Sequence, residues 1–125
     1  MSGSKYLLDT NAIIALLGGN KSLEKMLHEA EWFAVLVISV IEFFSFPNLS
    51  FNDRLLFITF LERVEVLNLS AENSGFLEDL GRIKVEHNLK LPDAVIAGYA
   101  IQNQAILVSN DLDFEKVKTL SLLRF

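Results

Sequence analysis

Four acidic residues stand where this chain changes direction. They are Asp9 in Leu7-Leu8-Asp9-Thr10-Asn11, Glu42 closing Ile38-Ser39-Val40-Ile41-Glu42, Asp93 in Leu91-Pro92-Asp93-Ala94, and Asp111 in Val108-Ser109-Asn110-Asp111-Leu112-Asp113-Phe114. Each follows or opens an apolar segment, where a carboxylate needs a reason to be. Brought together, such groups repel one another unless a cation neutralises them. A divalent cation held by carboxylates activates water, so the chemistry to expect is hydrolysis.

The elements that would position these acids follow from the apolar pattern. Lys5–Leu8 reads as a short strand, followed by a helix over Ala12–Leu17 that Gly18-Gly19 stops. Leu23, Met26, Leu27 and Ala30 recur at helical spacing and predict a helix over Ser22–Glu31. Phe33–Ile38 has the unbroken apolar character of a strand buried on both faces. A helix is expected from Ser39 to just before Pro47, and another over Asp53–Arg63. Val64–Leu69 alternates as a strand, and Ser70 is expected to open a long helix to about His87, with Asn88 as its cap. Asp93–Asn103 reads as a helix, with strands at Ala105–Ser109 and Leu120–Leu123.

Strands alternating with helices predict a parallel sheet covered on both faces. Its connecting helices run back against the strands, so every helix begins at the edge where strands end. Ligands bind at that carboxyl edge. Asp9 and Asp111 follow strands, Glu42 is expected in the first turn of a helix, and Asp93 starts one. All four should therefore face one edge.

Each acid also has a structural reading. Glu42 lies three residues after Ser39, the spacing of a capping box. Asp93, next to Pro92, suits a helix N-terminus. Asp111 and Asp113 suit a turn after Asn110. Asp9 has only a cap role to account for it. Coincidence of all four at one edge outweighs these separate accounts.

Composition sets the outer limits. The 125 residues are 51% hydrophobic and 22% charged, which suits one domain spanning residues 1–125 with a full core. No cysteine is present, so disulfides, thiolate ligands and a thiol nucleophile are excluded. The net charge is −5 from 16 acids and 11 bases; setting aside Asp9, Glu42, Asp93, Asp111 and Asp113 leaves the two signs balanced. The broad basic face of a duplex-DNA binder is missing. The apolar run from Trp32 to Ile38, reaching Ile41 only by including Ser39, falls far short of the ~18 residues a spanning helix needs, and Met1-Ser2-Gly3-Ser4-Lys5 lacks a signal-peptide core. A soluble, cytoplasmic protein is expected. His28 and His87 fall on surface helices without a matching ligand or nucleophile. Six phenylalanines (Phe43, Phe44, Phe46, Phe51, Phe57 and Phe60) crowd the third and fourth helices, more than one hairpin ordinarily buries, so part of that surface is expected to meet a partner.

Taken in order, Leu-Leu-Asp9-Thr10-Asn11, the Glu42 segment, Leu91-Pro92-Asp93-Ala94 and Ser109-Asn110-Asp111-Leu112-Asp113-Phe114 resemble the motif series of PIN-domain nucleases, most closely the VapC-type toxins of toxin–antitoxin pairs. The resemblance spans essentially the whole chain. It implies a PIN-like three-layer α/β/α fold with about five parallel strands, a metal-dependent endoribonuclease, a cognate antitoxin and a homodimer. It carries the acidic quartet onto Asp9, Glu42, Asp93 and Asp111, a fifth acid onto Asp113, a polar neighbour onto Ser109 and a basic position onto Arg82. The chain departs from that pattern in the aromatic segment after Glu42 and in its acidic balance.

Hard carboxylate donors suit Mg²⁺ or Mn²⁺. Asp9, Asp93 and Asp111 would hold the ion, with Glu42 either ligating or acting as base, and Thr10, Asn11, Ser109 and Asn110 in support. The substrate would be single-stranded or looped RNA. Arg82, Lys84, Lys90, Lys116 and Lys118, nearest the motifs in sequence, are candidates for phosphate contacts. Two other classes compete. A phosphatase or phosphotransfer domain would want a second Asp where Asn11 stands; a catalytically weak PIN-fold binding module would have little reason to keep the quartet.

Overall fold

The computed structural model describes residues 4–125; the start of the N-terminal segment discussed above, residues 1–3, lies outside them. Five strands, β1 (Lys5–Leu8), β2 (Trp32–Leu36), β3 (Glu65–Leu67), β4 (Ile106–Val108) and β5 (Leu122–Leu123), form one sheet in the order β3-β2-β1-β4-β5. Every pairing is parallel, with Leu8 beside Val35 on one side and Val108 on the other. Six α-helices connect them: α1 (Thr10–Leu17), α2 (Lys21–Glu29), α3 (Val37–Phe44), α4 (Phe51–Leu61), α5 (Ser74–His87) and α6 (Leu91–Gln102). The expected three-layer α/β/α fold is therefore present.

Alternation along the strands splits the core into two layers. Leu7, Ala34, Leu36 and Leu107 pack with α5 and α6 through Leu80, Ile96 and Tyr99. Their neighbours Leu8, Phe33, Val35 and Val108 pack on the other face with Ala12, Ile13, Leu23, Phe43, Phe57 and Phe60. Central strands covered on both faces are apolar on both, which is why β2 reads as an unbroken run.

The helix ends follow local chemistry. Asn20 caps α2 and Asn73 caps α5, each accepting a hydrogen bond from the amide three residues on. Ser50 and Asp53 form a reciprocal capping box on α4. Gly19 has φ 96° just past α1, and Asn88 takes the left-handed conformation after α5, both in keeping with the sequence.

Several boundaries shift from expectation, β2 running Trp32–Leu36, β3 Glu65–Leu67, α4 Phe51–Leu61 and α6 Leu91–Gln102; three shifts bear on local chemistry. The helix expected from Ser39 starts at Val37, so Ser39 lies inside the first turn, buried and without a hydrogen-bond partner. No capping box links it to Glu42, which falls in the second turn. The cause is the apolar stretch from Trp32 to Ile38, in which the strand passes directly into the helix with no Gly, Pro or cap residue to mark the change. The helix expected from Ser70 starts at Ser74, because the Ser70 hydroxyl accepts from the Glu72 amide in a turn of its own. The helix expected over Ser22–Glu31 covers Lys21–Glu29, since Ala30 and Ser4 begin the approach to β2.

The helices α5 and α6 touch at Gly98, where an added Cβ would come 2.1 Å from Leu80 Cδ2 and 3.5 Å from Ile83 Cδ1. Leu80 is buried and has little room to swing away. Glycine to alanine inside a helix ordinarily gains about 0.5–1 kcal/mol, but overpacking costs roughly 1–3 kcal/mol. Gly98→Ala should therefore be a net loss in urea unfolding, and adding Leu80→Ala should turn it into a gain relative to Leu80→Ala alone.

Candidate metal centre

The chain proceeds from β1 to β2 and β3 on one side, then crosses back so that β4 lies on the other side of β1. This reversal opens a crevice beyond the carboxyl ends of β1 and β4, the place where such sheets bind ligands. Asp9 leaves β1 there and Ser109 leaves β4.

Asp9 is buried, and both its oxygens are engaged. Oδ1 accepts the Ala12 amide at 2.9 Å, capping α1, and Oδ2 accepts the Ser109 hydroxyl. Each carboxylate oxygen has two lone pairs, so capping does not prevent ligation. Ser109 in turn accepts the Asp111 amide at 3.0 Å, and Asp111 Oδ1 accepts the Asp113 amide at 2.9 Å. One chain of hydrogen bonds thus joins the end of β1 to the loop after β4. On the opposite wall, the Thr10 hydroxyl donates to Glu42 Oε1 at 2.6 Å, which accounts for Glu42 better than the excluded capping box.

Asp93 is the third residue of α6, two after Leu91 and next to Pro92, with no side-chain cap on that helix. One carboxylate oxygen from each of Asp93, Asp111 and Asp113 falls within 4.8 Å of the others. Asp9, Glu42, Asp93 and Asp111 line a cleft of about 310 Å³ together with Thr10 and Asn11. Ser45, Phe46 and Ile96 also line it and were not singled out in the sequence. Ser45 stands one turn after Glu42, a spacing that could have flagged it; Phe46 and Ile96 carry no chemical signal.

The electrostatics record the crowding. Burial pushes the Asp9 carboxyl up, against the hydrogen bonds from Ser109 and Ala12, and Asp111 and Glu42 push it further. Burial, then the charges of Asp111, Asp113 and Glu42, raises Asp93 to about 6, with Lys90 only partly opposing. The donor set is all oxygen, close-spaced and short of positive charge. It fits a hard divalent cation.

A raised acid pKa means that the folded state holds a proton the unfolded state has lost. Stability is then lost as pH rises between the ordinary value of 3.8 and about 6. Metal-free protein should accordingly melt higher at pH 5 than at pH 7.5 through this contribution. Mn²⁺ should raise the melting temperature at pH 7.5 and do little at pH 5, since protons and metal compete. Scanning calorimetry in EDTA and in Mn²⁺ checks both signs; an equal metal effect at the two pH values would count against the assignment.

The basic residues divide. Lys90 is the N-cap of α6, and Lys116 lies 3.5 Å from Asp113. Arg82 is bridged to Asp79 at 2.8 Å and lines, with Lys118, a separate groove along α5 and α6 that shares no residue with the acidic cleft. Lys84 is exposed on α5. Closeness to the Leu-Pro-Asp motif in sequence does not bring Arg82 to it in space.

An acid-lined crevice at the switch point of a five-stranded parallel sheet defines the class of site. Residues 6–120 match the PIN domain model, and the chain belongs to the PIN-domain family. Its fold is similar to that of a VapBC2 chain from Rickettsia felis, solved bound to a promoter DNA fragment, at TM-score 0.77 and 22% identity over 96% of this chain and 98% of that one. A chain of a toxin–antitoxin complex from Klebsiella pneumoniae gives 0.76 and 22% identity over 95% and 96%. DNA-bound VapBC from Salmonella typhimurium gives 0.75 and 21% identity over 97% and 98%. No curated protein matches at a significant level.

Proposed function

We propose that the chain is a divalent-metal-dependent endoribonuclease, using Mg²⁺ or Mn²⁺ to hydrolyse single-stranded or looped RNA, and the toxin of a toxin–antitoxin pair. The observation that carries this reading is the meeting of Asp93, Asp111 and Asp113 oxygens within 4.8 Å beside a buried Asp9. Asp93, Asp111 and Asp113 would hold the ion together with Asp9. When bound, the ion lowers the pKa of a water and offsets charge on the phosphate. Ser109 keeps Asp9 turned toward the cleft. Thr10 occupies Glu42 Oε1, leaving Oε2 to accept a proton from the attacking water or to join the ligands. Lys90 and Lys116 are the cations on hand to meet phosphates flanking the scissile bond.

The antitoxin surface we assign is the apolar face around α4. Ile41, Phe51 and Leu56 are 63%, 73% and 52% exposed, and an apolar groove of about 460 Å³ runs between α1, Phe43, Phe46 and Leu56. Isolated exposed apolar residues are ordinary, but a cluster of this extent marks a contact. Solved relatives described as toxin–antitoxin complexes support the partner reading, and a homodimer in the cytoplasm fits the same class. No helix among the described residues is long and apolar enough to cross a membrane.

The test is cleavage of a labelled single-stranded RNA by purified protein. Cleavage should stop with EDTA and return on adding Mn²⁺ or Mg²⁺. Cutting that persists unchanged in excess chelator would sink the proposal.

A further inference from the structure

Asn110 sits between Ser109 and Asp111, and its carboxamide grips the backbone of a single distant residue. Nδ2 donates to the Phe125 carbonyl at 2.7 Å, and Oδ1 accepts the Phe125 N–H at 2.7 Å. A side chain here imitates a neighbouring strand. It extends the β4–β5 ladder past its last backbone bond, from the Ser109 amide to the Leu123 carbonyl at 3.0 Å. Phe125 is itself anchored, because its ring packs against the core layer that contains Leu8 and Val108. Arg124 adds a second hold, reaching the Asn110 carbonyl at 3.4 Å and Glu115 at 2.5 Å. Residues 124 and 125 thus touch both ends of the segment that carries Asp111 and Asp113.

We propose that Asn110 and Phe125 are positioning residues, a brace that fixes the Asp111–Asp113 loop in the geometry a cation needs before one arrives. The inference rests on the metal reading of the cleft. Asp111 lines that cleft and Asp113 lies beside it, both close to Asp93, whose charge repels them, so the loop gains by opening outward. Its remaining bonds are local: the Asp111 amide donates to the Ser109 hydroxyl, the Asp113 amide to Asp111 Oδ1 and the Phe114 amide to the Asp111 carbonyl, and Asp113 pairs with Lys116 in the short 3-10 turn Leu112–Lys116. They do not tie it to the far side of β5. Arg124 carries less of the load, since its pair with Glu115 is about half exposed on each side and such pairs are weak.

Four variants of the full chain decide it, read by Mn²⁺ affinity in calorimetry at pH 7.5 and by amide hydrogen exchange without metal. Asn110→Ala should weaken Mn²⁺ binding about 10-fold or more, the usual effect of losing a group that orients a ligand. Phe125→Gly should act in the same direction, because the backbone that Asn110 grips loses its anchor. Phe125→Leu should stay near wild type, keeping both the anchor and the backbone pair. Arg124→Gln should stay within about fivefold. In exchange, the Asp111 and Asp113 amides of Asn110→Ala should lose protection while those of β1 and α6 keep theirs. The brace is overturned if Asn110→Ala binds Mn²⁺ like wild type with both loop amides still protected, or if protection is lost throughout the protein. Should wild type bind no Mn²⁺, the metal reading falls, and the exchange pattern still decides the brace.

Discussion

Replacing Asp93 by asparagine is expected to remove RNA cleavage while making the metal-free protein more stable. The first effect follows from the ligand set. A bound cation stabilises transition-state charge by several kcal/mol, so losing a ligand that holds it should lower the rate on the order of 10³-fold. The second follows from the carboxyl's own environment. Asp93 sits half-buried against Asp111, Asp113 and Glu42, which together with burial raise it to about 6. Asparagine keeps the shape and removes a charge that the fold tolerates at a cost. A variant that is inactive and melts higher in EDTA than wild type at pH 7.5 would separate function from folding in one substitution. Wild-type cleavage rates from a nuclease-free preparation would remove Asp93 from the site.

The largest loss of stability should come from Phe57→Ala. Phe57 is fully buried, stacked on Phe43 with ring centroids 3.9 Å apart and met edge-on by Phe44 at 5.1 Å. Truncating a buried phenylalanine costs about 3–5 kcal/mol, and the lost ring pairs push toward the upper end. For a chain of this size that is a melting point lower by roughly 10–15 °C. The substitution should reach the site as well. Phe57 backs Phe43, and Phe43 directly follows Glu42 in α3, so a cavity behind Phe43 lets the Glu42 turn shift. Chemical denaturation gives the stability loss, and a cost below about 1 kcal/mol would mean the layer repacks freely.

The chain's residues made some of this legible and concealed the rest for physical reasons. Asp9 and Asp111 could be assigned to one edge because parallel strands all end on the same side, a constraint that needs no coordinates. Glu42 was expected at that edge as a first-turn residue of a helix starting at Ser39; α3 starts at Val37, so it falls in the second turn and the rival capping-box account is gone. Its true partner, Thr10, is 32 positions away and approaches only when α1 and α3 pack. Arg82 lies in a different groove from Asp93, since nearness along the chain says nothing about which side of the α5–α6 hairpin a side chain occupies. Phe125 gave no signal, because it meets Asn110 through its backbone, which leaves no mark on residue type.

The hydrogen bond between Asp9 and Ser109 spans 100 positions, and β1 has β4 as one of its two neighbours. During synthesis, the first strand must therefore wait for nearly the whole chain before its outer flank is filled. At roughly 5–20 residues per second that interval is about 5–20 s. Nascent chains still tethered to the ribosome lack Asp93 and Asp111 for most of that time and so cannot assemble the cleft. The cleft is thus assembled only once residue 111 has been made and β4 can pair with β1.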